Sequence, residues 1–160
     1  MILSQILEFN NIDFDNLNIP VFVVETESSY NEDLQKSNYV LEQDQYDQYT
    51  SRWARVYDWY GLQFSRATYF KKKIEEQLSE VLMNESANIP ENVKTKAAKE
   101  AWINQNSKEY HEINKLYAKA CAFYVYFEHK KEATKIKHYN CKSMSSSIDI
   151  DKPIGGFQSS

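Results

Sequence analysis

The sequence predicts an all-α protein whose long amphipathic helices pack as a helical bundle or a coiled-coil-like oligomer. Three glycines and three prolines in 160 residues are too few for the turns of a small β fold or the loops of an α/β fold. Apolar residues recur at alternating three- and four-residue steps over long stretches, which is the spacing of one helix face. A chain of this length has the size of one domain, so we expect one helical core with an arm and a tail.

Residues 1–37 are interpreted as a mixed, acidic N-terminal arm. Its first apolar residues suit a short helix or a docking segment: Ile2, Ile6, Leu7 and Phe9. Pro20 then precedes the β-branched run VFVV, which predicts one short strand or an extended docking segment. Because one strand cannot form a sheet alone, such a strand would have to pair with another segment or another chain.

The helical core domain is predicted over residues 38–142, and its first long helix over about 38–85. The apolar stripe of this helix keeps a period near 3.5 residues, as in a coiled coil. The stripe consists of Trp53, Tyr57, Tyr60, Phe64, Ala67, Ile74, Leu78 and Val81. The sequence NESANIP ends the helix at 84–90, because proline cannot continue a helix and disfavours helical backbone at the preceding residue.

A second helical pattern resumes near Pro90 and has a joint at residues 104–107, where Ser107 is a candidate helix start. Beyond the joint, the apolar stripe is wide enough for a bundle or a ring of helices. We predict that this stripe forms an oligomer interface through Tyr110, Ile113, Tyr117, Tyr124 and Phe127. The Ser/Gly-rich residues 143–160 are predicted to be a flexible, disordered tail.

Charge is segregated along the chain, although the net charge is only −4. Residues 1–50 carry ten acidic residues and one lysine, whereas residues 51–142 carry seventeen lysines and arginines against eleven acids. Such asymmetry indicates either a surface that binds a polyanion or pairing of opposite charges inside the protein.

Lysines cluster in three places, and tyrosines lie near the last cluster. Cationic side chains that follow phosphates, beside aromatic rings on which bases stack, are what sequence-tolerant binding of single strands requires. The predicted DNA-binding residues are Lys71, Lys72, Lys73, Lys94, Lys96, Lys130, Lys131, Lys135, Lys137 and Lys142. Lysines on exposed helix faces are also ordinary solvated residues, and that alternative stays open here.

The sequence contains no catalytic constellation, so we expect no enzyme, no cofactor and no bound metal. The three histidines are spread along one predicted helix, and no glycine-rich phosphate loop occurs. Cys121 and Cys141 lie about 30 Å apart along one predicted helix, too far for a disulfide, which fits a reducing cytoplasm. No apolar run approaches the length of a membrane span, so we expect no membrane association.

Two stretches give the chain a resemblance to a known family. AWINQNSKEYHEINKLYAKACAFYVYFEHKKEATKIKHYNCKSM has a polar helix start, an aromatic centre and a basic end, and YDWYGLQFSRATYFKKKIEEQL has a Tyr/Trp cluster followed by a basic patch. Over about residues 50–145 the chain therefore resembles phage UvsY-type recombination mediators. The segment SEVLMNES departs from the pattern, since that family tends to carry basic residues at this end of the helix.

The resemblance implies an all-helical phage protein that forms a ring-like homo-oligomer and binds single-stranded DNA without catalysis or metal. It also implies a role in loading a phage recombinase onto strands coated by single-strand-binding protein, in the cytoplasm of the host cell. The residues leave a second interpretation open, in which the protein is a helical scaffold, adaptor or virion assembly protein that binds no nucleic acid. The acidic arm would then dock on the basic helix of a neighbouring copy.

Overall fold

The computed structural model describes residues 17–150, with side chains described for residues 17–147. This part of the chain forms four helices and no strand: α1 Val21–Lys36, α2 Gln43–Ser86, α3 Lys96–Asn106 and α4 Lys108–Ile150. The predicted all-α class is therefore confirmed. The predicted docking segment at residues 2–9 and the last part of the predicted tail, 151–160, lie outside the described residues.

The described chain divides into two compact units. Unit 1 consists of Leu17 and Leu62–Glu128, so it contains the second part of α2, all of α3 and the first part of α4. Unit 2 consists of residues 18–61 and 129–150, so it contains α1, the beginning of α2 and the end of α4. This division differs from the predicted arm, core and tail, because segments from both ends of the chain belong to unit 2.

Unit 1 has an apolar core in which all three of its helices take part. Val81 of α2, Ile103 of α3 and Tyr110 of α4 form one buried cluster. The half-buried side chains around this cluster are Leu78, Leu82, Ile89, Trp102 and Ile113. Burial of apolar side chains is the main stabilising term in folding. Around this cluster, the apolar stripes of α2 and α4 are therefore covered by helices of the same chain.

Short polar side chains set the helix ends of unit 1. The Thr95 hydroxyl accepts a hydrogen bond from the backbone N–H of Ala98 at 3.2 Å and caps α3. The Ser107 hydroxyl accepts one from the backbone N–H of Tyr110 at 3.2 Å, at the start of α4. Such caps satisfy backbone donors that have no partner within the helix. The predicted helix start at Ser107 is confirmed, whereas α3 begins at Lys96 rather than near Pro90.

Unit 2 has an aromatic core between α1, α2 and α4. Trp53 is fully buried, and the ring of Tyr30 on α1 makes edge contacts with Tyr49 and Trp53 at centroid distances of 5.0 and 5.4 Å. From α4, the Nδ1–H of His138 donates to the backbone carbonyl of Thr50 at 3.0 Å. The edge-to-face contacts of Tyr30 with Tyr49 and Trp53 are favoured by the quadrupoles of the rings. The tyrosine content of the sequence is thus partly explained by this core.

The strand predicted at the run VFVV is wrong, because residues 21–24 open the helix α1. Two of its β-branched residues, Val23 and Thr26, are buried at 0% and 2% exposure and are three positions apart, on one helix face. The Thr26 hydroxyl donates to the carbonyl of Phe22 at 2.7 Å. A β-branched residue lowers helix propensity only slightly, so burial against the rest of unit 2 decides the structure.

The tail predicted from residue 143 is wrong for residues 143–150, which continue α4 to Ile150. The hydroxyls of Ser146 and Ser147 donate to backbone carbonyls four residues earlier, at 2.9 Å each. The Ser145 hydroxyl donates to the carboxylate of Asp47 on α2. Serine has a preference for turns because its hydroxyl bonds to nearby backbone, but here the hydroxyls bond along the helix.

The first long helix begins at Gln43 rather than near residue 38. Asn38 and Tyr39 have φ angles of 54° and 67°, in the left-handed region that no α-helix continues through. These two residues come just after the end of α1. The last turn of α1 is closed by the Ser37 hydroxyl, which donates to the Asp33 carbonyl at 2.7 Å. The end of α2 at Ser86 lies within the break predicted at 84–90.

Candidate nucleic-acid interface

The structure distributes the predicted DNA-binding lysines over both units. Unit 1 contains five of them, at positions 71, 72, 73, 94 and 96, and unit 2 contains the other five, at positions 130, 131, 135, 137 and 142. The predicted DNA-binding residues therefore do not all belong to one compact unit.

Lysines of the unit 2 group are engaged by their own chain. The ammonium group of Lys130 lies 3.9 Å from the carboxylate of Glu27 on α1, and that of Lys135 lies 3.5 Å from Glu132. The Lys137 ammonium lies 4.6 Å from the ring centroid of Trp53, in a cation–π contact. Pairing of opposite charges inside the protein, one of the two interpretations of the charge pattern, therefore applies to Lys130 and Lys135.

In unit 1, basic residues and a tyrosine form a stripe on the exposed side of α2. Residues 62–74 contain four basic residues and no acid. Arg66, Tyr69 and Lys73 follow one another at three- and four-residue steps, and Lys72 lies beside them, so all four share one side of the helix. We call these four residues the α2 stripe. The Tyr69 ring is 47% exposed, and it stands between basic side chains, as a stacking platform for a base requires.

Lys73, at the C-terminal end of the α2 stripe, has a carboxylate neighbour. Its ammonium donates to Glu76 at 2.8 Å, and this bond raises the pKa of Lys73 and lowers that of Glu76. The pair is solvent-exposed, where ion pairs of adjacent helix residues are weak and easily exchanged. A phosphate can therefore replace Glu76 as the partner of Lys73 at little cost.

Lys71, the first lysine of the triplet, points to the other side of α2. Its ammonium lies 4.5 Å from the ring centroid of Tyr124 on α4, and the ring of Phe64 approaches Tyr124 to 5.1 Å. The sequence predicted that Lys71 binds DNA and that Tyr124 forms part of an oligomer interface. In the structure they are partners of each other within unit 1, so Lys71 stands apart from the α2 stripe.

The third group of lysines lies at the start of α3. Lys94, Lys96 and Lys99 line a cavity of about 540 Å³ whose apolar wall includes Leu82 and Met83 of α2. The Lys96 ammonium lies 4.0 Å from Glu100, on a side chain that is 90% exposed. These lysines surround an apolar groove rather than a row of aromatic rings, which is not the arrangement that a nucleic-acid strand prefers.

The five residues predicted for the oligomer interface are used within the chain to different degrees. Tyr110 and Phe127 are buried within the single chain, at 8% and 7% exposure, and the oligomer interface predicted for them stays a prediction. Ile113 packs against the core cluster, and Tyr117 and Tyr124 are half-buried. A hydrogen bond with Cys121 raises the pKa of Tyr117. The sequence pattern alone could not tell burial within one chain from burial between chains.

Other chemistry has little support among the described side chains. Between residues 17 and 147, no three His, Cys, Asp or Glu side chains come close enough to hold a metal ion. Cys121 and Cys141 are both free, as the sequence predicted, and burial raises the pKa of the Cys141 thiol. None of the four helices combines the length and apolar character that crossing a bilayer needs.

Arg66 and Tyr69 are the two members of the α2 stripe that the prediction from sequence did not include. Their signal was present in the sequence, because residues 62–74 lack acids and place Arg66 one helical turn before Tyr69 and two before Lys73. The consecutive lysines do not follow this spacing, since neighbours such as Lys71 and Lys72 point to different sides of a helix.

With this geometry in place, comparison with known proteins adds no relative. No protein-family model, no curated protein and no solved structure matches the chain.

Proposed function

We propose that this protein is a non-enzymatic, single-stranded-DNA-binding assembly factor of the UvsY mediator type. In this proposal it forms a homo-oligomer and helps to load a phage recombinase onto DNA that is coated by single-strand-binding protein. The observation that supports it best is the α2 stripe, in which Arg66, Lys72 and Lys73 surround the exposed ring of Tyr69. Phosphate contacts would supply affinity, and stacking on Tyr69 would supply tolerance of sequence.

The site that we propose differs from the one predicted from the sequence alone. Lys72 and Lys73 keep their predicted role and gain Arg66 and Tyr69 as neighbours. Lys130 and Lys137 take a structural role instead in this proposal, because Lys130 pairs with Glu27 of another helix and Lys137 lies over the buried ring of Trp53. Moving a phosphate onto these lysines would require the loss of those contacts.

Fluorescence anisotropy with a labelled oligo-dT strand tests DNA binding directly. The double variant Lys72→Ala/Lys73→Ala is expected to weaken binding on the order of tenfold or more at low salt, since two phosphate contacts are lost. Glu76→Gln should strengthen binding, because it frees Lys73 from its carboxylate partner.

Lys115→Ala is the matched control for the loss of Lys73. The Lys115 ammonium also forms an exposed ion pair with a glutamate three positions away, Glu112, at 3.5 Å in unit 1. Equal losses of affinity in Lys115→Ala and in Lys73→Ala, each of which removes one positive charge, would mean that only net charge matters, and the proposed site would be wrong. Recombinase loading is then measured by the rate at which recombinase activity appears on coated strands with and without this protein.

A helical scaffold or adaptor without nucleic acid is the second candidate function. It is favoured by unit 2, where α1 carries four acids and one of them, Glu27, pairs with Lys130 of the basic helix in the same chain. Oligo-dT binding distinguishes the candidates: an adaptor retains no strand, either as the natural chain or as the variant Glu27→Gln, which removes the ion pair between Glu27 and Lys130. If Glu27→Gln alone creates tight binding, the unit 2 lysines rather than the α2 stripe are the DNA site.

A further inference from the structure

An apolar groove in unit 1 has the character of a docking site for a peptide segment. It lies between the end of α2 and the start of α3 and has a volume of about 540 Å³. Its apolar wall includes Leu82, Met83 and Ile89, and the Met83 side chain is 73% exposed. A large apolar side chain left open beside other apolar surface is typical of a binding groove.

Three lysines give this groove a positive rim. Lys94, Lys96 and Lys99 all line it and all are exposed, and although Glu100 also lines it, 4.0 Å from Lys96, the lining keeps a net positive charge. A segment that fills the groove well must therefore be apolar on one side and acidic on the other. Such a segment would bury Met83 and place carboxylates near the rim, so both parts of the groove would gain a partner.

Residues 1–16 of this chain have that chemistry. The segment MILSQILEFNNIDFDN contains three acids, Glu8, Asp13 and Asp15, and no lysine or arginine. Ile2, Ile6 and Phe9 follow the three- and four-residue spacing of one helix face. An amphipathic segment with this spacing is the usual occupant of an apolar groove between helices.

The point where the described chain begins is compatible with docking in the same molecule. Leu17 belongs to unit 1, the unit that contains the groove. Sixteen residues can span up to about 50 Å when extended, which gives the segment ample reach. We propose that residues 1–16 dock in the groove of their own chain, with their apolar side on Met83 and their acids towards the three lysines.

Photo-crosslinking in the full-length chain tests this proposal without nucleic acid, so its outcome is independent of the proposed function. Benzoylphenylalanine is introduced at Met83 in one protein and at Tyr69 in a matched control. Both positions are exposed on α2, and about 21 Å of helix separates them. Position 83 is expected to crosslink to residues 1–16 within the monomer, as mass spectrometry of the digested monomer band shows, and position 69 is not.

A second variant links the crosslink to the apolar side of the segment. Ile6→Asp/Leu7→Asp should abolish the crosslink from position 83, and Ser4→Asp should preserve it, since Ser4 is two positions from both Ile2 and Ile6 and so is off the face that they share. The proposal is overturned if position 83 gives no more crosslink to residues 1–16 than position 69. It is equally overturned if the crosslink appears only in a dimer band, because a second copy would then fill the groove.

Discussion

The ammonium group of Lys71 lies 4.5 Å from the ring centroid of Tyr124, and the two residues join α2 to α4 within unit 1. The contact gives a structural role to one lysine of the triplet, whereas its neighbours Lys72 and Lys73 belong to the exposed α2 stripe. Three consecutive lysines thus have two different surroundings, because successive residues of a helix point in different directions.

A double-mutant cycle measures this contact. Lys71→Met and Tyr124→Leu, alone and together, are compared by urea unfolding, and we expect a coupling energy of about 0.5–1 kcal/mol in the free energy of unfolding. Lys71→Met should also weaken oligo-dT binding much less than Lys72→Ala does. A coupling energy of zero, or equal losses of DNA affinity at positions 71 and 72, would contradict the separation of roles.

Truncating a side chain in the core cluster of unit 1 should lower the free energy of unfolding strongly. Ile103 is 1% exposed between Val81 and Tyr110, so Ile103→Ala should lower the free energy of unfolding by about 2–5 kcal/mol through the cavity that it leaves. Ile136→Ala on α4 is the control, since Ile136 is 60% exposed and its truncation should cost less than about 0.5 kcal/mol. Equal costs in thermal or urea unfolding would show that Ile103 is not in a core.

Tyr49 predicts how the stability of unit 2 depends on pH. Its hydroxyl donates to the Asp33 carboxylate at 2.6 Å, and burial first, then this bond, raises the pKa of Tyr49. Burial likewise raises the pKa of Tyr30, which packs against Tyr49. Because these pKa values are higher in the folded state, the stabilisation is complete below about pH 10, the ordinary tyrosine pKa, and is lost as pH rises through the raised values.

Tyr49→Phe tests that pH dependence. The variant should lose about 1–2 kcal/mol of stability near neutral pH, since a hydrogen bond to a charged group is removed. Its stability should then fall less steeply than that of the natural chain above about pH 10. Tyr139→Phe is the control at a ring that is 56% exposed. Urea unfolding across this pH range would contradict the prediction if both variants and the natural chain showed parallel curves.

The helices were predictable where the sequence carries local signals. Pro90 marked the break after α2, and Ser107 marked the start of α4, because proline and a capping serine act through their own backbone neighbourhood. The helix α1 was missed since its β-branched residues Val23 and Thr26 favour a strand locally and are held in a helix by burial in unit 2.

The partners of the lysines were beyond what the sequence could predict. Glu27 and Lys130 are about a hundred positions apart, and nothing in the local pattern of either residue indicates the other. The α2 stripe is the opposite case, since Arg66, Tyr69 and Lys73 lie within three turns of one helix and their common face follows from spacing alone. The Glu27–Lys130 pair could be found only from the structure, whereas the shared face of the α2 stripe can be predicted from the spacing of its residues.

The salt dependence of oligo-dT binding shows whether phosphates of the strand contact the α2 stripe. Each phosphate contact with a single strand contributes about 0.7 to the slope of log affinity against log salt, so Arg66→Gln/Lys72→Gln/Lys73→Gln should reduce that slope by roughly 2. The control Lys108→Gln/Lys115→Gln/Lys119→Gln removes the same charge from α4 and should leave the slope unchanged. Equal slopes for the natural chain and the α2 variant, or no binding by the natural chain at low salt, would contradict DNA binding at the α2 stripe.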